Sequence, residues 1–182
     1  ITSSATFSAA ENQTAIGTVT ATDADGSSIS YSISGGPTAD VAVISINSST
    51  GVLSFDVAPN YESKTSYSIK VSAYDGVAET IQDVTINITD VNEAPAFTSS
   101  ASFSAEENQT TIGSVSVTDP ENATLSYSLS GTDASSLAVS SSGVLSFESA
   151  PNYESKNSYS ATVAASDGTN STTQDITVSI NN

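Results

Sequence analysis

The sequence predicts an all-β protein built as two tandem Greek-key β-sandwiches of seven strands each, and three observations carry that prediction. The first is an internal repeat: Phe7-Ser8-Ala9-Ala10-Glu11-Asn12-Gln13-Thr14 returns as Phe103-Ser104-Ala105-Glu106-Glu107-Asn108-Gln109-Thr110. The second is a hydrophobic period of two, clear in Tyr67-Ser68-Ile69-Lys70-Val71-Ser72-Ala73 and Val84-Thr85-Ile86-Asn87-Ile88. The third is composition: about a third of the residues are Ser or Thr, and no stretch has the 3.6-residue period of an amphipathic helix.

Taken in order, the first copy reads as strands over 5–8, 17–22, 29–34, 43–46, 52–55, 67–74 and 81–89. Turn signals such as Asp75-Gly76 separate them, and alternation gives each run one buried face. The second copy repeats the pattern. Gly51-Val52-Leu53-Ser54-Phe55 matches 143–147, and Ala58-Pro59-Asn60-Tyr61-Glu62-Ser63-Lys64 matches 150–156. The offset between copies falls from 96 at Phe7 to 92 at Pro59, so the second copy lacks four residues between its third and fourth strands. The expected organisation is a first domain over 1–90, a linker over 91–95 and a second domain over 96–182. No apolar run approaches the roughly 20 residues of a membrane span, and Ile1 opens no basic, apolar leader. The chain is therefore expected to be an internal piece of a longer array.

Composition excludes several functions. Three basic residues against 20 acidic ones give a net charge of -17, so nucleic acid and anionic membranes would be repelled. With no Cys and no His, thiolate and imidazole catalysis, disulfides, haem ligation and the usual zinc sites are unavailable. Hard, oxygen-binding cations are the metals left.

Strand parity then gathers the acids. In a sandwich whose strands alternate in direction, a loop's pole follows from the number of strands before it. Glu11, Asn60 and Glu62, and the linker residues Asp90, Asn92 and Glu93 share one pole of the first domain; Asp23, Asp25 and Asp75 share the other. In the second domain Asp119, Glu121 and Asp167 face back toward the linker, while Glu107, Asn152 and Glu154 lie at the far pole. The junction would collect seven carboxylates with no Lys or Arg placed among them, a strongly repulsive arrangement unless cations intervene. Six to eight oxygens per ion is the coordination of Ca2+, and two or three ions would neutralise most of the charge.

These residues resemble the calcium motifs of the cadherin repeat, over nearly the whole chain: Glu11, Asn60-Tyr61-Glu62, Asp90-Val91-Asn92-Glu93-Ala94-Pro95, Asp119-Pro120-Glu121 and Ser166-Asp167-Gly168. The resemblance implies that Glu11, Glu62, Asp90 and Glu93 hold two ions, with Glu121 reaching across from the second repeat. It implies a third ion held by Asn92, Asp119, Glu121, Asp167 and the Ala94 carbonyl, and Val91 belongs to the same linker set. Asp23, Asp25 and Asp75, and likewise Glu107, Asn152 and Glu154, become half-sites of neighbouring junctions. The sequence departs from the family pattern where Asn60, Glu93 and Glu121 each replace an Asp, and each change keeps an oxygen donor. The Ser/Thr-rich composition and the phrase Phe147-Glu148-Ser149-Ala150-Pro151-Asn152-Tyr153-Glu154 look more like the repeats of large bacterial surface adhesins. The function implied is a calcium-stiffened extender in a secreted or surface protein; the alternative is a calcium-dependent module contacting other repeats or polysaccharide.

Other signals read as structure. Phe7, Tyr31, Phe55, Tyr61 and Tyr67 recur as Phe103, Tyr127, Phe147, Tyr153 and Tyr159, which points to packing, with Tyr61 or Tyr67 as a corner hydrogen-bonder. Lys64, Lys70 and Lys156 read as solvated. Six Asn-x-Ser/Thr sequons fit chance in so Ser/Thr-rich a chain. Only Glu107 of the pair Glu106-Glu107 has a counterpart, Glu11, so no glycosidase pair is expected and the chain is read as no enzyme.

Overall fold

A computed structural model describes residues 1–182 and divides into two compact units, Ile1–Val91 and Asn92–Asn182. The first contains β1 (Thr6–Ala10), β2 (Ala15–Thr18), β3 (Ser30–Gly35), a single helical turn α1 (Thr38–Val41), β4 (Ile44–Ile46), β5 (Val52–Phe55), β6 (Ser66–Tyr74) and β7 (Glu79–Thr89). The second contains β8 (Ala96–Phe97), β9 (Ser102–Glu106), β10 (Thr111–Ser114), β11 (Val117–Thr118), β12 (Ser126–Ser130), a 3-10 turn (Ala134–Ser136), β13 (Leu137–Val139), β14 (Val144–Phe147), β15 (Ser158–Ser166) and β16 (Ser171–Asn181).

Each unit is a sandwich of two sheets. In the first, the orders are β1-β7-β6-β3 and β2-β5-β4; in the second, β9-β16-β15-β12 and β10-β14-β13. The pairings are antiparallel except β1 with β7 and β9 with β16, which run parallel. That exception follows from counting: the first and last of seven alternating strands point the same way. It brings the ends of β1 and β7 and the start of β6 to one pole. In the second unit the opening strand splits between sheets, with β8 pairing β11 before β9 joins β16. Thr2, whose N–H bonds the Thr20 carbonyl at 2.7 Å, follows the same path in the first unit.

The period of two builds the core. Ile69, Val71 and Ala73 of β6 alternate inward and meet Val84, Ile86 and Ile88 of β7 and Leu53 and Phe55 of β5, all buried. Ala161, Val163, Ile176, Val178, Ile180, Leu145 and Phe147 repeat this in the second unit. Phe55 meets Tyr67 edge to face with centroids 4.9 Å apart, as Phe147 meets Tyr159 at 4.9 Å. The turn before β5 needs glycine: Gly51 has φ +70°, and a Cβ there would lie 2.1 Å from the Val19 carbonyl oxygen. Gly143 repeats the geometry with φ +79° and the Val115 oxygen at 2.8 Å.

Two sequence expectations change. Tyr153 is not a packing residue; it is 36% exposed, whereas its counterpart Tyr61 packs on the core. The tyrosine whose hydroxyl meets the backbone away from its own loop is Tyr31, which accepts the Ala21 N–H at 3.0 Å. The lysines reach water, as read, but each also has a carboxylate partner. Lys64 meets Asp40, Lys156 meets Asp133 and Lys70 meets Asp83. Asp40 and Asp133 are buried, so an ammonium partner offsets the cost of removing their charge from water.

Candidate metal centre

The pole of the first unit is organised by Glu11, which follows β1. Its side chain is only 1% exposed. Oε2 accepts the Tyr61 N–H and Oε1 the Val91 N–H, both at 2.8 Å. One carboxylate thus ties the end of β1 to the corner before β6 and to the chain leaving β7. The corner is a closed turn: Asn60 Oδ1 accepts the Ser63 N–H at 2.7 Å, and its carbonyl accepts the Lys64 N–H at 3.0 Å. This turn carries Glu62, exposed, with a carboxylate oxygen within 4.8 Å of one on Glu11 and of one on Asp90. No lysine or arginine pairs with these three groups. Asn60, expected as an oxygen donor, spends its side-chain oxygen on closing the corner.

One pole of the second unit holds Asn92, Asp119, Glu121 and Asp167. Asp119 Oδ1 accepts the Ala123 N–H at 2.9 Å, while its Oδ2 is buried and accepts no hydrogen bond. Both oxygens of Glu121 are likewise buried without a partner. Asp167 Oδ1 accepts the N–H groups of Thr169 and Asn170 at 2.6 Å each, and Oδ2 accepts the Asn92 amide at 2.8 Å. The Asn92 amide and the Thr169 N–H together hold the Asp167 carboxyl below its ordinary range. Asn170 in turn donates to the Asn92 carbonyl at 3.0 Å. Sequence reasoning missed that clamp, because the first unit has Ala78 at the equivalent hairpin position. Glu93 is half-buried and Ala94 exposed; the Glu93 carbonyl accepts from the Asn92 amide at 3.0 Å.

The outer poles echo these arrangements with fewer contacts. Asp75 Oδ1 accepts the Val77 and Ala78 N–H groups at 2.7 Å each. The Ala78 and Val77 N–H groups lower its pKa. Asp23 Oδ1 accepts the Asp25 N–H at 3.0 Å. At the far end Glu107 is half-buried and accepts the Tyr153 N–H at 3.1 Å; Asn152 closes its turn through Ser155 at 2.9 Å, and exposed Glu154 accepts from Asn182 at 3.5 Å.

The donor set fits a hard cation. A buried carboxylate oxygen without a proton donor is costly, and carboxylates with their oxygens free to converge favour ions that take six to eight oxygens at 2.3–2.6 Å. Absent thiolates and imidazoles argue against softer metals.

The family model described as Cadherin domain matches residues 5–89 and 100–181. The chain is 35% identical over 163 residues to human Protocadherin Fat 4, covering 81% of this chain and 3% of that protein. It is 34% identical over 158 residues to mouse Protocadherin-15, covering 81% and 8%. The chain thus spans a small part of the curated relatives it matches. Among solved structures, human Protocadherin-24 EC1-2 (Form II) aligns with a TM-score of 0.70 at 20% identity, covering 97% of this chain and 94% of that one. Mouse Cadherin-23 EC22-24 aligns at 0.62 with 25% identity, covering 98% and 63%.

Proposed function

Because the chain belongs to the cadherin family and carries two tandem cadherin domains, we propose that it is a calcium-stiffened extender segment of a cell-surface or secreted adhesion protein. The observation that carries the reading is the set of three buried carboxylate oxygens, Asp119 Oδ2 and both of Glu121, that accept no hydrogen bond. Beside it, in the first unit, Glu62 has a carboxylate oxygen within 4.8 Å of one on Glu11 and of one on Asp90. In this proposal Glu11, Glu62, Asp90, Glu93 and Glu121 serve two ions, and Asn92, Ala94, Asp119, Glu121 and Asp167 a third. The Val91 N–H, held by Glu11, keeps the linker's first residue at the site. Calcium supplies the positive charge that lets these carboxylates share one place.

The wider setting we infer from the Ser/Thr-rich, cysteine-free composition is a large adhesin of the bacterial kind, with neighbouring repeats as the partners of each end. Half-sites at Asp23, Asp25 and Asp75 and at Glu107, Asn152 and Glu154 suit an array. A polysaccharide-binding reading has little aromatic surface to draw on, since Tyr74 and Tyr153 are the large exposed aromatics.

Calorimetric titration of the chelator-stripped chain tests the reading. Two or three calcium ions should bind at sub-millimolar to millimolar affinity, on the order of 10⁻⁴ to 10⁻³ M, as extracellular modules do. Magnesium should compete poorly. An absence of calcium heat, with no calcium-dependent rise in Tm, would overturn it.

A further inference from the structure

We propose that the ion pairs Asp40–Lys64 and Asp133–Lys156 are positioning locks that set the acidic corner of each unit for cation binding. The inference rests on the calcium reading and extends it to residues that bind no ion.

The lock is built from four parts that recur in both units. Asp40 and Asp133 are buried, at 4% and 9% exposure, one in α1 and the other immediately before the 3-10 turn. Each gives Oδ1 to a lysine ammonium, Lys64 or Lys156. Each gives Oδ2 to a backbone N–H of the following strand, Ser68 at 2.8 Å or Ser160 at 2.9 Å. Each ammonium also lies over a ring, Tyr67 at 4.4 Å or Tyr159 at 4.8 Å. The chain has three basic residues and spends two of them this way. The four-residue loss between the third and fourth strands of the second unit reshapes the loop carrying the aspartate, yet the pair survives it.

Magnitude separates a stabilising role from a positioning one. The lysine side chains remain 40% and 44% exposed, and pairs so open to water contribute little net stability. Burying each aspartate carries a desolvation cost that the pairing does little more than offset. What the pair does supply is a fixed point. Lys64 is the last residue of the turn whose first is Asn60 and whose middle is Glu62, and its backbone N–H closes that turn on the Asn60 carbonyl at 3.0 Å. Glu11 holds the near end through the Tyr61 N–H. Asp40, through the lysine ammonium, holds the far end and, through Ser68, the start of β6. Glu62 is exposed and makes no ion pair of its own, so the turn sets its position. Because calcium–oxygen distances fall within 2.3–2.6 Å, a small displacement of this turn removes a ligand.

The test is calcium calorimetry on the full chain, with melting in chelator as the control. Lys64→Gln should weaken calcium binding by about tenfold, the scale for loss of a residue that orients a metal ligand, and Lys64→Arg should restore most of it. Lys156→Gln, which acts on the Glu154 corner, should leave that affinity within twofold of wild type. The double variant Asp40→Asn/Lys64→Gln removes both charges, so no lone buried carboxylate threatens folding, and should weaken calcium as the single variant does. A purely structural pair would lower Tm in chelator equally for Lys64→Gln and Lys156→Gln and leave the affinities alike. Wild-type affinity in Lys64→Gln and in the double variant would overturn the lock alone. A wild-type chain that takes up no calcium would overturn the calcium reading and the lock with it.

Discussion

Replacing Glu11 with alanine should destabilise the first unit even with no calcium present. Glu11 is buried and accepts two N–H bonds at 2.8 Å, from Tyr61 and Val91. A hydrogen bond to an ionised acceptor contributes ~1.5–3 kcal/mol. Tyr61 is half-buried and Val91 exposed, so water reaches the freed donors in part, and the lower end applies: about 3 kcal/mol for the two. For a domain of this size each kcal/mol moves Tm by ~4–8 °C, so a loss of about 12 °C or more is expected. The chain contains its own control. Glu107 stands at the same place in the second unit, is half-buried, and accepts the Tyr153 N–H at 3.1 Å. Glu107→Ala should therefore cost well under half as much. Scanning calorimetry of both variants in excess chelator reads the difference. Equal losses, or a shift of only a few degrees for Glu11→Ala, would refute the claim that this carboxylate ties three segments together.

Acid should weaken both units through the buried aspartates. Burial raises the Asp40 pKa, but the Lys64 and Ser68 hydrogen bonds outweigh it, and Lys156 with Ser160 lowers that of Asp133. A folded pKa below the ordinary value of about 3.9 means the contribution is complete above that pH and is lost as pH falls through the depressed values, so Asp133→Asn should flatten the acid limb of a stability–pH curve. Gly51→Ala should cost more than Gly143→Ala in denaturant unfolding, because its Cβ would meet a carbonyl oxygen at 2.1 Å rather than 2.8 Å; equal costs would show that the turn relaxes freely. In solution scattering, calcium should narrow the distance distribution and lengthen the maximum dimension, and Asp119→Ala or Asp167→Ala should reverse part of that; identical curves in calcium and chelator would remove the extender mechanism.

Much of the architecture was legible because two rules act locally and repeat. Alternation marked β6 and β7, and counting strands was enough to foresee that β1 and β7 run in the same direction. Edges were less legible. The second strand was read over 17–22 but forms β2 over Ala15–Thr18, because the register shifts between Ala15 and Gly17, where the Phe7 ring lies on the glycine. The acidic poles could be listed from parity, yet nothing in residue type tells a buried carboxylate from an exposed one. Asp40 and Asp133 escaped notice for that reason, and because the missing residues between the copies hid their correspondence. The lysines' partners escaped with them: a lysine in a polar stretch reads as reaching water, which it does, but its residue type does not say which carboxylate it meets. Tyr153 failed in the opposite sense, since recurrence implied burial and the corner of the second unit leaves the ring partly in water.

The parallel union of first and last strands also decides how each unit responds to being pulled. The chain enters at the start of β1 and leaves at the end of β7, so tension along it drags the two strands in opposite directions along their common axis. Five residue pairs, Thr6 with Thr85 through Ala10 with Thr89, lie side by side across that line, and five more join β9 to β16. Under such shear the hydrogen bonds between the strands share the force and must fail together, whereas a ladder pulled from one end would open bond by bond. The rate of forced unfolding, and not equilibrium stability alone, then governs how long a unit holds under load. A protein meant to span a gap between surfaces would draw that resistance from the order of its strands, with or without a cation.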